Sequence, residues 1–421
     1  MKILHIVDTL KAEKGGVSQA VQTMASEIAK AGITNEVITL DIQDDASSKG
    51  LFTVNCLGPS TRAWSYSSKL LPWLLQNLSR FDTIIVHGLW LYQTYAIRKA
   101  LRLYVRQMTP EMPRPSLYIM PHGMLDPYFQ RAAQRRLKAI RNWFYWKLIE
   151  GRVVNSADGI LFTCKEECVL ASMPFHPYRP KRELVIGLGV VEPPAYQLDM
   201  ENNFLNACPE VRNKKYLLYL GRIDKKKGVD LLIQAYHKLI SEPNSAQVLN
   251  KENSFTKSSP YEFREQRSVF PMLVIAGPGL DLGYGKKLVE LVRSSPLLRD
   301  HIIFPGMLMG EAKWGAFYGA EAFILPSHQE NFGIAVVEAL ACSKPVLISK
   351  QVNICLEIKQ GYAGIVDEDS EAGTYQLLKS WRKLSEVQRL QMEKQARKCY
   401  EKHFALDAAT SRLINAISYR S

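Results

Sequence analysis

The chain opens with a short apolar run, Lys2–Val7, that gives way to Gly15-Gly16. Apolar positions then recur at helical spacing over Val17–Ala31, and a second apolar run follows at Glu36–Leu40. Strand, glycine loop, helix and strand in that order predict a βαβ unit. Runs of the same kind recur at Thr83–His87, Ser116–Met120 and Gly159–Thr163, each followed by polar or helical sequence. The first half therefore reads as a doubly wound parallel sheet. Over Val190–Lys215 the pattern breaks, with Pro193-Pro194, Asn202-Asn203 and Pro209. It restarts with Tyr216–Leu220, Met272–Ala276, His301–Phe304, Ala322–Leu325 and Pro345–Ile348, separated by helical stretches such as Val229–Ile240. The expected architecture is α/β, with two Rossmann-like doubly wound parallel-sheet domains. The first covers 1–195, a linker 196–215, the second 216–400, and a C-terminal helix over 401–421 can pack back on the first domain. Ser241–Ser268 is polar and aperiodic and is expected to be a mobile surface insertion.

Composition narrows this little. The chain has 421 residues, 47% hydrophobic and 23% charged, which suits a globular enzyme of two or three domains. Its apolar stretches, such as Pro271–Ala276, fall far below the ~18 residues that span a bilayer. Asp8 ends the first run too early for a signal-peptide core, so a cytoplasmic location is expected. Seven scattered cysteines with no C-x-x-C support neither a disulfide framework nor a zinc ribbon.

Charge is more informative. A net charge of +13 predicts attraction to something anionic: nucleic acid, phospholipid headgroups or a phosphorylated substrate. Arg131, Arg135, Arg136, Lys138, Arg141, Lys147 and Arg152 lie among the four consecutive aromatics Trp143–Trp146, with Glu150 the only acid. This stretch reads either as a helix that lies on an anionic membrane surface or as an amphipathic core helix with a solvated basic face.

Open parallel sheets bind ligands at the carboxyl ends of their strands, so two such domains are expected to face each other across a cleft. Gly221-Arg222 follows the strand Tyr216–Leu220, and Lys225-Lys226-Lys227-Gly228 opens a helix. Arg222 can fork onto phosphate oxygens, Lys227 adds a point charge, and the helix N-terminus adds amide dipoles. That is a diphosphate site or a solvated basic turn. Ser327–Gly333 follows the strand Ala322–Leu325 and leads into the helical run Ile334–Ala341. Glu330 and Glu338, eight positions apart, would be about 80° out of line on one continuous helix. With Glu330 on the loop and Glu338 a turn or two into the helix, both can point at different parts of one extended ligand, each accepting two hydroxyls. The alternative is a capping glutamate and a solvated one.

These residues carry a family resemblance. Gly221-Arg222 with Lys227-Gly228-Val229, Ile275–Gly279, Phe304-Pro305-Gly306, and Pro326-Ser327 with Glu330–Gly333, Glu338-Ala339 and Lys344-Pro345-Val346 resemble the retaining GT-B glycosyltransferases of glycosyltransferase family four. Gly15-Gly16-Val17 resembles the family's glycine loop, and His87–Trp90 and Pro121–Pro127 resemble a subset that builds bacterial exopolysaccharides. The resemblance implies a GT-B fold with an acceptor-binding first domain and a nucleotide-sugar-binding second one. The expected activity is transfer of a hexose, with retention, from a UDP, GDP or ADP sugar to a saccharide or lipid-linked saccharide. It implies that Arg222 and Lys227 hold the diphosphate and Glu338 the ribose, while Glu330 and the amides around Asn331, Phe332, Gly333 and Ile334 hold the sugar. Gly277, Gly306 and Met307 would line the nucleotide, Gly15 and Gly16 would close on the phosphates, and His122 would meet the reacting face. Fixed cations and amides can stabilise a departing diphosphate, so no cofactor or metal is expected.

The chain departs from the family pattern at two places. Leu188-Gly189-Val190 replaces the frequent Asn-Gly-Val, and Ser343 stands where a glycine often precedes Lys-Pro-Val, a change that a negative φ would accommodate. Asp367-Glu368-Asp369 spells a metal-binding D-x-D but is read as a solvated stretch far from the site motifs. Neither a dinucleotide loop nor a P-loop is spelled correctly around Gly277–Lys287. A glycoside hydrolase or phosphorylase could recruit Glu330 and Glu338, with carboxylates ~5–10 Å apart, but it leaves Arg222 and Lys227 without a task. A nucleic-acid-binding reading rests on the charge alone, so no nucleic-acid partner is expected.

Overall fold

A computed structural model describes residues 1–11, 16–42, 50–61, 64–107, 114–131, 135–242 and 270–418. Gly15 and the bulk of the expected insertion, 243–268, lie outside the described residues. The chain divides into two compact units, Met1–Glu192 with Lys402–Ser421, and Pro193–Glu401.

The first unit is built on a parallel sheet of β1 (Lys2–Ile6), β2 (Thr34–Thr39), β3 (Thr53–Cys56), β4 (Thr83–His87), β5 (Ser116–Met120), β6 (Gly159–Phe162) and β7 (Glu183–Val185), in the order β3-β2-β1-β4-β5-β6-β7. Alternation along each strand splits the core between the two faces. Leu4, Ile6, Ile84, Val86, Ile119, Ile160 and Phe162 line one of them, all at most 1% exposed. His5, Ile85, His87, Tyr118 and Met120 fall on the other. Helix Leu406–Ser418, from the end of the chain, packs on helix Gly16–Lys30 of this unit.

The second unit carries β8 (Tyr216–Leu220), β9 (Met272–Ala276), β10 (Ile302–Gly306), β11 (Ala322–Leu325), β12 (Val346–Ser349) and β13 (Gly364–Asp367), all parallel, in the order β10-β9-β8-β11-β12-β13. Residues 196–215, expected to be a linker, instead contain helix Leu198–Ala207. Its Met200 and Phe204 are buried, and it packs so closely on helix Gly310–Gly319 that a Cβ on Gly315 would lie 2.0 Å from the Met200 carbonyl oxygen. One buried stripe on an otherwise polar decamer explains why the letters read as a break.

Ser343 also departs from expectation, with φ at +61° rather than negative. It ends helix Ile334–Ala341 in a Schellman turn, in which the Lys344 amide donates to the Ala339 carbonyl and the Ser343 amide to the Leu340 carbonyl. A glycine would adopt that conformation at lower cost. Among the described residues, no helix is long and apolar enough to cross a membrane.

Candidate active site

In the second unit the direction of winding reverses between β8 and β11, and a parallel sheet opens its ligand crevice at such a switch point. The loops that leave these two strands are joined to each other. The His328 amide and the Ser327 hydroxyl both donate to the Lys226 carbonyl, at 2.8 and 3.0 Å, and Lys226 Nζ donates to Gln329 Oε1 at 2.9 Å. On this base Lys227 Nζ meets Glu330 Oε2, with the two side chains only 13% and 17% exposed. Burial, then the neighbouring Lys226, pulls the Lys227 ammonium down to about 7, while the Asp224 carboxylate favours the charged form. Arg222, on the same loop, is 72% exposed and reaches Asp224 at 3.6 Å.

Glu330 stays on the loop, fixed where its amide donates to the Gln351 carbonyl and its carbonyl accepts from the Asn353 amide, both at 2.9 Å. Gly333, with φ at +79°, turns the chain into helix Ile334–Ala341, and Phe332 is buried beneath it. The amides that open this helix at Ile334 present the positive end of its dipole. Glu338, in the second turn, is buried and accepts from Lys313 Nζ at 2.6 Å. Burial raises its carboxyl above the ordinary value against the pull of Lys313. Each glutamate thus has its own lysine. Lys313, on helix Gly310–Gly319, carried no signal in the sequence; nothing in its spacing marks it as the partner of Glu338.

Gly277 and Gly306 brace the Arg222 loop from behind. The Gly277 amide donates to the Gly306 carbonyl at 2.7 Å, and at φ +142° a Cβ on Gly277 would fall 1.9 Å from the Gly221 carbonyl oxygen. Met307, the next residue, is 62% exposed. The D-x-D stretch proves nearer to these loops than expected, because β13 lies beside β12 and places Asp369 Oδ2 3.0 Å from His328 Nδ1. Among the described residues no three His, Cys, Asp or Glu side chains gather as a metal site.

In the first unit the switch point lies between β1 and β4. Gly16 begins the helix after β1, and His87 ends β4, with Gly88-Leu89-Trp90 following it. His122, just past β5, has φ at +52°, a conformation that persists only where surroundings impose it. Buried Glu167 imposes it: one carboxylate oxygen accepts from the Gly123 amide at 2.5 Å, the other from the amide and hydroxyl of Thr163 at 2.7 and 2.6 Å. His122 Nε2 lies 3.0 Å from His87 Nδ1. Sequence reasoning missed Glu167, which sits in an ordinary helical start.

The basic stretch resolves into helix Arg136–Tyr145, a π-turn over Trp146–Glu150 and helix Gly151–Ser156. Neither sequence reading describes it fully. Trp146 is core, stacked on Phe175 with ring centroids 4.9 Å apart, and Glu150 is buried, so the four aromatics do not act together. Leu137, Ile140, Phe144 and Leu148, spaced to share one stripe, are 84%, 57%, 55% and 63% exposed.

Comparison with known proteins places these features. Residues 262–398 match the family model of the glycosyl transferases group 1. A glycosyltransferase of Methanocaldococcus jannaschii, MJ1607, is 26% identical over 163 residues, 39% of this chain and 34% of that protein. The chain thus spans about a third of that curated relative's length. Among solved structures, sucrose-phosphate synthase from Thermosynechococcus elongatus superposes with a TM-score of 0.69 at 16% identity, over 99% of this chain and 98% of that one. HepE of Anabaena, solved with UDP and glucose, gives 0.65 at 15% identity over 100% of both chains. The fold is that of the GT-B glycosyltransferases, two parallel-sheet Rossmann-like units, and the match to the glycosyl transferases group 1 model falls in the second unit.

Proposed function

We propose that the protein is a retaining, metal-independent hexosyltransferase that moves a hexose from a nucleoside-diphosphate sugar to a saccharide or lipid-linked saccharide, in exopolysaccharide or envelope-polysaccharide synthesis. The observation that carries this reading is the Lys227–Glu330 pair at the β8/β11 switch point, with exposed Arg222 on the same loop. A diphosphate would take Lys227 and Arg222, releasing Glu330 to the hydroxyls of the sugar, and Glu338 would hold the ribose. In this reading the bond from the anomeric carbon to the phosphate oxygen breaks while the acceptor oxygen bonds on the same face. The acceptor proton passes to the departing phosphate oxygen, whose charge the two cations and the amides at Ile334 stabilise. The two glutamates are held by different lysines, which does not suit an acid/base pair across one glycosidic bond.

A calorimetric panel of UDP, GDP, ADP and CDP tests the donor site; that HepE was solved with UDP makes UDP the first expectation. No binding of any of them overturns the reading. Transfer in EDTA should continue, and loss restored by Mg²⁺ would bring Asp369 and its neighbours into the chemistry. NMR of the anomeric proton should show an α-linked product from an α-donor.

The exposed stripe Leu137–Leu148, flanked by Arg136, Lys138, Arg141 and Lys147, supports attachment to the inner face of an anionic membrane, where lipid-linked acceptors reside. Polybasic attraction of ~1 kcal/mol per Lys or Arg should make it salt-sensitive. Vesicle co-sedimentation should show pelleting with anionic lipid at low salt and none with Leu137→Asp/Phe144→Asp.

A further inference from the structure

Sheet order brings three histidines that are far apart in sequence into one row. His5 on β1 stands beside Ile85 of β4, and His87, two residues on, points to the same face. His87 in turn pairs with Met120 of β5, and His122 follows two residues later. The rings meet in series, His5 Nδ1 to His87 Nε2 at 3.0 Å and His87 Nδ1 to His122 Nε2 at 3.0 Å. His5 and His87 are 0% and 1% exposed, and His122 is half-buried. Burial lowers His5 and His122 to about 4, and burial followed by the two neighbouring rings takes His87 well below its ordinary value. All three are therefore neutral at neutral pH.

A neutral imidazole has one N–H and one lone pair, so the row can be polarised in only two ways. The inner end decides between them. His5 Nε2 is buried with no partner. If the N–H groups pointed inward from His122, that nitrogen would carry an orphaned hydrogen; if they point outward it is left with a lone pair only. A buried N–H without an acceptor is the rarer defect. The outward row runs from His5 Nδ1–H to His87 Nε2, then from His87 Nδ1–H to His122 Nε2, and leaves the hydrogen of His122 on Nδ1.

The geometry points to His5 and His87 as positioning residues that hold His122 in the neutral Nδ1–H tautomer, so that the row ends in a hydrogen-bond donor for an oxygen of the transferred sugar. The inference rests on the reading of His122 as a sugar-facing group. It gives that residue the role of donor and removes it as a general base through Nδ1. The positive φ and the clamp from Glu167 to Gly123 fix where the ring points, and the row fixes which atom carries the hydrogen.

The test is two-bond proton–nitrogen NMR of the full chain labelled with ¹⁵N-histidine, without donor and at neutral pH. His122 should show a pyrrole-type Nδ1 and a pyridine-type Nε2; an Nε2–H or imidazolium pattern in the wild type overturns the proposal. His87→Gln keeps a donor for His122 and an acceptor for His5 and should preserve the pattern. His87→Leu should release His122 to the Nε2–H form, and an unchanged pattern there overturns the role of the row. These spectra contain no donor, so they judge the tautomer whether or not transfer is found. The sugar contact is judged by turnover. His87→Leu should raise the donor KM several-fold while His87→Gln stays near wild type, and equal values in both variants overturn it.

Discussion

The two switch points solve the same problem, the burial of polar groups beside a ligand crevice, in opposite ways. Around β4 and β5 the buried groups have neutral partners: imidazole with imidazole, Glu167 with amides and a hydroxyl, and Glu150 with the Trp90 amide and the Thr94 hydroxyl, each at 2.7 Å. Around β8 and β11 each buried carboxylate has a lysine. A neutral network is set once and does not answer to a ligand's charge. An ion pair can be exchanged, its lysine turning to a phosphate and its carboxylate to hydroxyls, so the second region is suited to binding and the first to orientation.

The strongest way to break that contrast is to remove one member of the exchangeable pair. Lys227→Ala leaves Glu330 unpaired and should cost roughly 3 kcal/mol of stability. It should also weaken UDP binding by tenfold or more, since a charge-assisted contact contributes ~1.5–3 kcal/mol. Arg222→Ala should weaken binding alike but leave thermal melting unchanged, because its side chain is 72% exposed. Equal melting of the two variants would mean that the lysine pair does not hold the loops.

The neutral region should answer to pH instead. Burial raises the Glu150 carboxyl from 4.5 to about 7. The unfolded chain then loses this proton before the folded one does, so the stability that Glu150 contributes is undiminished below about 4.5 and is lost as pH rises through about 7. The loss amounts to roughly 3 kcal/mol. His5, His87 and His122, whose imidazole pKa values burial lowers, contribute stability that rises with pH over part of the same interval, so Glu150→Gln should make the slope in denaturant titrations more positive; an unaltered slope would show that Glu150 contributes nothing to it.

Within the exchangeable region, Glu330→Gln should cut transfer at least about tenfold with UDP still bound, while Glu338→Gln should mainly weaken UDP binding, by a similar factor. Identical defects would favour a joint acid/base role. The smallest effect is expected at Ser343→Gly, which should stabilise by about 0.5–1 kcal/mol, as relief of the left-handed conformation exceeds the added freedom of the unfolded chain. A lower melting temperature would show that the serine side chain has a packing role.

How far the sequence could be read follows the same physics. Thr83–His87, Tyr216–Leu220, Met272–Ala276 and Ala322–Leu325 match their strands residue for residue because central strands of a covered parallel sheet are apolar on both faces. The strands without a legible run, Thr53–Cys56, Glu183–Val185 and Gly364–Asp367, are all sheet edges, half-exposed and correspondingly polar. The site divides likewise. Lys227 and Glu330 follow strand ends and could be located from the letters. The Lys313–Glu338 pair, the Glu167 clamp and the histidine row depend on which strands and helices are neighbours, and no local spacing encodes that.

The return of the chain to the first unit bears on the order of assembly. Helix Leu406–Ser418 buries Ala409, Leu413 and Ile417, and Arg412 Nε donates to the Ile186 carbonyl at 2.9 Å. On the ribosome the second unit, a continuous segment, is complete before these residues emerge. The first unit, begun earlier, must wait with its docking face open until helix Leu406–Ser418 is made. Translation therefore makes most of the first unit before the second and completes it afterwards, and a chain interrupted after Glu401 would have all of the second unit's sequence but a first unit without its docked helix.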